Sequence, residues 1–313
     1  MKAYFFLPLL LLATSVAGAG AINEEAAMPA NGRLKVSNVS GSVEIYGWSR
    51  NRIEVTGDLG NESELVFSVD GSSATVEVES EGKGWGDRSR TDLVIRVPKS
   101  TRVNASTVSA NLLVEEIEGE LRLQTVSGDL DAQSFGQEVE ARAVSGEVTV
   151  TGNGKVSMFA FKTVSGDIEA TGLAGEIIAA SVSGDIELES GQTSRLKLNT
   201  VSGDMDFSGA MARNAKVDAE SVSGDVDLRL DSLYDTDYYL ESFSGNISPV
   251  LGQKAQKKSK YAPGSRLELI EGNGDNRVRI ETMSGDISIR ETGNPRRKPE
   301  VQTSSRDVMQ PRG

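Results

Sequence analysis

A short block that recurs along most of the chain constrains the fold more than any other feature. The block reads Thr/Ser-Val-Ser-Gly-Asp followed by an aliphatic residue, with degenerate copies at 38–43 and 107–112. The glycines of the clearest copies are Gly128, Gly146, Gly166, Gly184, Gly203, Gly224, Gly245 and Gly285. Their spacing is 18 to 21 residues, except for a final gap of 40, which we interpret as two coils. Such a period predicts a solenoid, whose units bury a core only against their neighbours.

Residues on both sides of each block alternate between apolar and polar. Leu121, Leu123 and Thr125 share one parity, whereas Leu130 and Ala132 share the other. A period of two indicates β-strands, and the change of parity at Val-Ser-Gly indicates a corner. We attribute the glycine to backbone torsions that a residue with a Cβ resists. Because too few residues remain for a crossover helix, each strand is expected to pair with its equivalents in adjacent coils.

These patterns predict an all-β protein, a parallel β-solenoid (β-helix) of about ten coils of 18–21 residues with an irregular, β-rich N-terminal cap. Residues 1–21 have the pattern of a signal peptide, since Lys2 precedes a short apolar segment and small residues that fit A-x-A cleavage. We expect residues 31–106 to form the cap and the first irregular coils, and residues 107–290 to form the solenoid repeats. Residues 291–313 are polar without a period and are predicted to be disordered.

Composition argues against several functions. The chain has no Cys and no His, so disulfides are impossible and the commonest general base and transition-metal ligand are missing. A formal net charge of −13 opposes binding to nucleic acid. We therefore predict a non-enzymatic protein whose mature chain binds no nucleic acid and does not insert into a membrane. The leader predicts export, with the periplasm favoured and the cell surface or extracellular space as alternatives.

The repeat also supports a family resemblance. The recurring block after a signal-like leader resembles a large family of exported bacterial proteins that are named as adhesins but whose function is unknown. Residues Asn38–Ile45, Val97–Lys99 and Thr107–Ser109 look like the opening pattern of that family, and the resemblance spans about residues 31–290. It implies a β-solenoid with an adhesin-like role, and the family offers no catalytic residues.

Acidic residues recur at one position after each corner. They are Asp129, Glu147, Asp167, Asp185, Asp204, Asp225 and Asp286, and a second set follows two residues later at Asp131, Glu169, Glu187, Asp206 and Asp227. In register, such like charges would repel one another. One hypothesis makes Asp129, Asp167, Asp185, Asp204 and Asp225 ligands in a row of divalent-cation sites, with Ca²⁺ as the cofactor. The alternative is that each Asp accepts backbone N–H groups at its own corner while solvent screens the charge.

A serine also recurs in every copy of the block. The column comprises Ser40, Ser109, Ser127, Ser145, Ser165, Ser183, Ser202, Ser223, Ser244 and Ser284. Equivalent nucleophiles in every coil are implausible without a single His, so we predict a ladder of hydroxyls that closes the corners. Residues 82–86 resemble a hairpin tip more than a phosphate loop, because no helix pattern follows them. Trp48, Trp85 and the basic segment Lys254–Lys260 are candidate contact sites, with a core or edge role as the alternative for each Trp and a solvated loop for the basic segment.

Three functions remain open on these observations. The first is an adhesin-like binding or scaffold module of the cell envelope, whose partner is an unknown envelope protein or glycan. The second is a cation-binding structural rod. The third is a polysaccharide-active enzyme on a β-helix, which would need clustered carboxylates where the repeat is interrupted. The interruptions near 82–90 and 251–264 contain no paired carboxylates, so we favour the first function.

Overall fold

The computed structural model describes residues 14–17, 20–61, 63–80, 90–134, 136, 138–258 and 263–292. All regular structure within those ranges is β-strand, so the predicted all-β class is confirmed. The described part of the chain contains no helical segment with the length and hydropathy of a membrane span. The predicted disordered tail lies outside the described residues from position 293, as do positions 1–13, 18 and 19 of the predicted signal peptide.

Twenty-two strands make up the described structure. The first eight are β1 (Thr14–Ala17), β2 (Gly20–Ala27), β3 (Arg33–Trp48), β4 (Arg52–Leu59), β5 (Ser63–Asp70), β6 (Ser73–Ser80), β7 (Thr91–Pro98) and β8 (Arg102–Ile117). The next eight are β9 (Leu121–Gln124), β10 (Leu130–Ser134), β11 (Glu138–Arg142), β12 (Val148–Thr151), β13 (Ser157–Lys162), β14 (Ile168–Ala180), β15 (Ile186–Asn199) and β16 (Met205–Ser221). The last six are β17 (Val226–Leu230), β18 (Thr236–Ser242), β19 (Gln256–Lys257), β20 (Ser265–Glu271), β21 (Asn276–Thr282) and β22 (Ile287–Glu291).

The strands stack into two sheet faces that meet at the repeated corner. Face A holds the strands that precede each corner, in the spatial order β5-β6-β3-β8-β9-β11-β13-β14-β15-β16-β21-β18-β20. Face B holds the strands that follow it, in the order β2-β4-β7-β3-β8-β10-β12-β14-β15-β16-β17-β22. The long strands β3, β8, β14, β15 and β16 contribute one half to each face. Pairing between coils is parallel and in register, as the repeat predicts.

The core lies between the two faces. Leu121, Leu123 and Thr125 point inward from one side of a corner, and Leu130 and Ala132 point inward from the other, each at most 4% exposed. The predicted alternation is therefore confirmed. Burial of an aliphatic side chain contributes about 1.5–3 kcal/mol, whereas ordering each backbone residue opposes folding by about 1–2 kcal/mol. A single coil thus cannot fold alone, and its core becomes complete only between neighbours.

Antiparallel strands close the ends of the stack. At the N-terminal end β4 pairs with β7 and β2 on face B, while β5 pairs with β6 on face A. At the other end β20 runs antiparallel to β18. Next to the N-terminal end, β3 pairs with β8 from Arg33 to Tyr46, and β8 runs without a break from Arg102 to Ile117.

The final gap of 40 residues does not hold a coil without the motif, contrary to our reading. After the corner at Gly245 the chain returns as β20, antiparallel to β18, and β21 then inserts between β16 and β18. The corner glycines therefore stack in the spatial order Gly224, Gly285, Gly245. Because β20 occupies the outer edge of β18, only the inner edge of β18 is left for β21.

Candidate functional site

Six of the eight clear corners are closed on the inner side by a buried hydroxyl, whereas the corner at Gly146 has Ala143 at that position and Thr163 Oγ1 in the corner at Gly166 makes no hydrogen bond to a described residue. The backbone N–H of Gly203 donates to Thr200 Oγ1 at 3.0 Å, and that of Gly224 donates to Ser221 Oγ at 2.7 Å. The same bond recurs in the copies at Gly128, Gly184, Gly245 and Gly285. A three-residue step from hydroxyl to amide turns the chain without leaving a buried donor unpaired.

The serine column forms the predicted ladder of hydroxyls. The backbone N–H and the Oγ of Ser145 both donate to the carbonyl oxygen of Val126 in the preceding coil, at 2.9 and 3.3 Å. Ser165 bonds in the same way to Val144. These serines therefore link adjacent coils at the corner, as expected for a structural role.

The repeated glycine serves close stacking and not special torsions, so our explanation of it was wrong. Gly41 has a φ of +111°, but the glycines of the eight clear copies lie outside the left-handed region. A Cβ built on Gly146 would stand 1.9 Å from the carbonyl oxygen of Gly128, and one on Gly184 would stand 2.0 Å from that of Gly166. Successive corners therefore approach too closely for any side chain at this position.

The first acidic set forms a continuous column along the outside of the corner, which we call the Asp column. Asp185 Oδ1 accepts the backbone N–H of Asp204 at 2.8 Å, and Asp204 Oδ1 accepts that of Asp225 at 2.8 Å. The predicted backbone hydrogen bond is present, but its donor belongs to the next coil and not to the Asp's own corner. The reason is the parallel register, which places each carboxylate beneath the following amide. Asn111 holds the same position at the start of the column and accepts the N–H of Asp129 at 3.1 Å.

The Asp column carries charge that the described cations do not neutralise. Among the ion pairs of the described residues, none involves a member of this column. In the second acidic set, by contrast, Asp206 pairs with Arg229 at 3.4 Å and Asp227 pairs with Arg290. The difference arises because the second set lies on face B, where Arg229 and Arg290 stand two residues beyond the register partners of Asp206 and Asp227 in the adjacent strands.

The structure brings Asp129, Asp167, Asp185, Asp204 and Asp225 into this single column, as the cation hypothesis requires. Each nevertheless directs Oδ1 to a backbone amide, and the described residues contain no group of three or more carboxylates placed to hold one metal ion. Any cation would therefore bridge neighbouring coils with few protein oxygens. The row of cation sites stays a prediction.

Beside the Asp column runs a ridge of exposed apolar side chains, which the sequence reasoning missed. The ridge consists of Val39, Val108, Val126, Val144, Val164, Val182, Val201, Val222, Met283 and Phe243, in spatial order, and each is 37 to 56% exposed. The alternation contained the signal for it. Because Leu123 and Thr125 point inward, the next residue, Val126, must point outward.

A shallow groove of about 550 Å³ follows the ridge where it borders face A. Thr125, Ala143 and Thr163 line its floor, and the neighbouring ridge valines form one wall. Arg142 and Lys162 also line it. The corner thus presents an extended apolar surface and not an enclosed pocket.

The basic segment lies at the C-terminal end of the stack. Lys254, Lys257, Lys258 and Arg266 help to line a cavity of about 680 Å³, while Lys260 lies outside the described residues. Lys258 and Arg266 both pair with Glu241. The Lys258 ammonium above all, helped by hydrogen bonds from Tyr239 and Arg266, lowers the pKa of Glu241 to about 2, although desolvation opposes this shift.

Trp48 has an edge role in the described structure. Its Nε1–H donates to the carbonyl of Arg52 at 2.9 Å, and the guanidinium groups of Arg50 and Arg52 lie 5.0 and 5.4 Å from the ring centroid. These contacts tie β3 to β4 at the cap. The loop 82–86 and its Trp85 lie outside the described residues.

The comparisons with known proteins identify a family but no established activity. No curated protein matches the chain. A candidate cell adhesion protein from Clostridium sporogenes is 15% identical and covers 87% of this chain and 100% of its own, with a TM-score of 0.22. A candidate lipid binding protein from Parabacteroides distasonis is 13% identical, covers 89% of this chain and 99% of its own, and has a TM-score of 0.39.

A third solved structure, a candidate adhesin from Bacteroides fragilis, is 10% identical and covers 86% of this chain and 97% of its own, with a TM-score of 0.32. The family model Toastrack DUF4097 matches residues 31–290, the whole region that contains the corner repeats. The predicted resemblance is thereby confirmed. With its all-β, solenoid-like stack of corner repeats, this chain belongs to the Toastrack DUF4097 family.

Proposed function

We propose that this protein is a non-enzymatic, adhesin-like binding or scaffold module of the cell envelope, exported to the periplasm and built as a solenoid of ten coils. The single observation that carries the proposal is the exposed apolar ridge. Ten coils, counted as one ridge residue each, present ten such side chains at about 4.8 Å intervals, which makes a ridge of roughly 43 Å. Contiguous exposed apolar surface of this kind marks an interaction site.

Packing does not require these apolar side chains. Ser127 and Gly128 close the corner through backbone contacts and Thr125 closes it from inside, whereas Val126 joins the repeated hydrogen bonds through its main-chain carbonyl, which accepts from Ser145. A polar side chain at the ridge position would leave those bonds intact. The recurrence of an apolar residue in each coil is therefore explained by contact with a partner better than by folding.

An extended ridge favours binding over hydrolysis. A polysaccharide-active enzyme works through two carboxyl groups on either side of one bond, in a cleft that interrupts the pattern. At the described interruption near the C-terminal end, Glu241 is held by Lys258 and Arg266, and Glu268, the acidic residue among those that line the cavity, is itself paired with Arg266. Such a site suits an anionic contact better than acid–base chemistry.

The binding proposal is tested by site-specific photocrosslinking in cells that make the native protein. A photoreactive phenylalanine analogue replaces Val164 on the ridge, and the matched control places it at Glu187, which is exposed on face B. We expect a discrete ultraviolet-dependent adduct from the ridge position and none from the control. The adduct should disappear when Val144 and Val182 are changed to Ser. Equal labelling at both positions, or none at either, would reject a ridge-directed binding role.

The location is tested by protease treatment of intact and permeabilised cells followed by blotting. Protection until permeabilisation supports the periplasmic proposal. Digestion in intact cells would place the protein at the surface and support adhesion to an outside partner. A cytoplasmic marker protein serves as the control for lysis, and co-fractionation with that marker after selective release of the periplasm would contradict export.

A further inference from the structure

We propose that the partner of the ridge is a basic amphipathic α-helix, which lies along the C-terminal half of the ridge and directs its cationic side chains to the Asp column. This inference rests on the proposed binding function and names the chemistry of its partner. The ridge supplies the apolar contact, and the column supplies charge in the same corners. The segment concerned comprises Val182, Val201, Val222, Met283 and Phe243.

Charge decides which partner fits this surface. Asp185, Asp204 and Asp225 are exposed, and none forms an ion pair in the described part of the chain. On the other flank of these three corners stand Ala180, Asn199 and the exposed Glu220, none of which is cationic. At the last two coils the flank carries Glu281 and Glu241, which are paired with Arg279 and with Lys258 and Arg266. Unpaired carboxylates in register attract a cationic partner and repel an anionic one.

The same charges disfavour a second copy of this chain as the occupant. Two ridges that meet in antiparallel fashion would bring one Asp column against the other. A parallel arrangement would bring Asp225 against the partner copy's Glu220 position instead. Like charges that face each other across an interface oppose association. A cationic partner removes both conflicts.

Periodicity selects a helix over an extended peptide. Ridge side chains repeat at the separation of hydrogen-bonded strands, about 4.8 Å. One turn of an α-helix rises about 5.4 Å, whereas same-side residues of an extended strand repeat at about 6.6–6.8 Å. Over the four steps from Val182 to Phe243, the helix drifts from the ridge by about 2.4 Å and the strand by about 7–8 Å. An apolar helical stripe therefore stays in contact with consecutive coils.

The side chains at the end of the ridge suit such a partner. Met283 and Phe243 are 56 and 50% exposed, so the ridge widens where the valines end. Methionine is flexible and polarisable, and adapts to differently shaped apolar surfaces. This end of the ridge therefore gives a helix its largest apolar contact, while Asp286 continues the acidic column beside it.

The probe is a fluorescent 18-residue peptide of leucine and lysine whose apolar residues follow the helical period. Its length as a helix is about 27 Å, enough to cover five coils. Three control peptides separate the contributions. One has the same composition in strict alternation, one replaces lysine by glutamate, and one replaces leucine by serine. Binding to the purified full mature chain is measured by fluorescence anisotropy, and helix formation by circular dichroism.

We expect the helical probe to bind at least about tenfold more tightly than each control, and its affinity to fall as salt rises. Binding of the alternating peptide at equal affinity would overturn the choice of a helix. Binding of the serine peptide at equal affinity would overturn the role of the ridge, and binding of the glutamate peptide would overturn the role of the Asp column.

Protein variants locate the site. The triple variant Asp185→Asn, Asp204→Asn, Asp225→Asn keeps the amide-accepting oxygen, since Asn111 accepts in the same column, but removes three charges. We expect it to weaken the helical probe at least about tenfold. The matched control Asp131→Asn, Glu169→Gln, Glu187→Gln removes the same charge from face B and should change affinity less than about twofold. An equal loss of affinity in both variants would mean that only the net charge of the protein matters, and it would overturn the proposal.

A third variant distinguishes this inference from the proposed function. Val182→Ser with Val201→Ser and Val222→Ser should abolish both the peptide binding and the ridge adduct in cells. If the adduct depends on these valines while the helical probe binds no better than its controls, the partner chemistry is wrong and the ridge function stands. If neither depends on them, both fail.

Discussion

The inside and the outside of one corner obey different physical constraints, although they are only one or two residues apart. Inside, the Gly184 backbone packs against the carbonyl of Gly166, and the hydroxyl of Ser181 accepts a hydrogen bond from the Gly184 amide. Outside, Val182 is 46% exposed and Asp185 meets solvent. The stack therefore dictates the inner residues directly. The stack does not fix the exposed side chain of Val182 in this way, and we attribute the repetition of the ridge residues to the proposed binding function.

The largest expected effect comes from the inner glycine. Gly184→Ala places a methyl group 2.0 Å from the carbonyl oxygen of Gly166, so two coils must separate. We expect a loss of about 3 kcal/mol and a melting temperature lower by about 10 °C. Thermal unfolding by circular dichroism measures it. The control is Gly191→Ala, whose Cβ would meet only Leu173 O, at 3.7 Å, and an equal effect there would refute the stacking explanation.

The next effect comes from the buried hydroxyl. Thr200→Val preserves shape but removes the acceptor of the Gly203 amide, which would leave a buried donor unpaired. We expect a loss of about 1–3 kcal/mol in the free energy of unfolding, measured in urea. Thr200→Ser should be close to neutral, because Ser221 makes the same bond. A neutral Thr200→Val would mean that water replaces the hydroxyl.

A smaller effect is expected from the hydrogen bond of the Asp column. Asp204→Ala removes the acceptor of the Asp225 amide at a solvent-exposed site, and we expect a loss of about 0.5–1.5 kcal/mol. Asp204→Asn retains the acceptor and should match the parent protein or exceed it slightly, since one repulsive charge is gone. Equal destabilisation by Ala and Asn would show that charge matters more than the bond.

The exposed ridge should contribute least to folding. Val201→Ser changes a half-exposed side chain and leaves its carbonyl, which accepts from Ser223, in place. We expect a change within about 0.5 kcal/mol in the unfolding free energy, as for other surface substitutions. A loss above about 1 kcal/mol would make the ridge a packing element and weaken the argument for a partner.

The hypothesis that the Asp column binds cations on the outer side of the corner is tested by adding and removing calcium. If Asp185, Asp204 and their neighbours bind Ca²⁺, millimolar calcium raises the melting temperature and a chelator lowers it. The triple Asn variant of the column must abolish the shift. An unchanged melting temperature would reject the row of cation sites. Solvent screening and the hydrogen bonds from backbone amides would then be what offsets the repulsion between the carboxylates.

Much of the fold could be predicted because its determinants are local. Leu121 and Leu123 before a corner and Leu130 after it show the strands and their inward faces by parity alone. The same parity places Val126 outside, so the ridge was within reach of sequence reasoning and was overlooked. The ion pair of Asp227 with Arg290 was not within reach, because β22 stacks on β17 from a coil that lies far along the chain.

By itself, the sequence determined the coil period, the position of each corner and the residues that share a column, because a repeat with period-two alternation has only one way to bury its apolar side chains. The tertiary structure decided which coils are neighbours. It placed β21 between β16 and β18, gave each Asp an amide of the following coil, and made a close carbonyl the reason for each glycine. Those contacts join residues far apart in the chain, and a local pattern does not say which coil will stack on which.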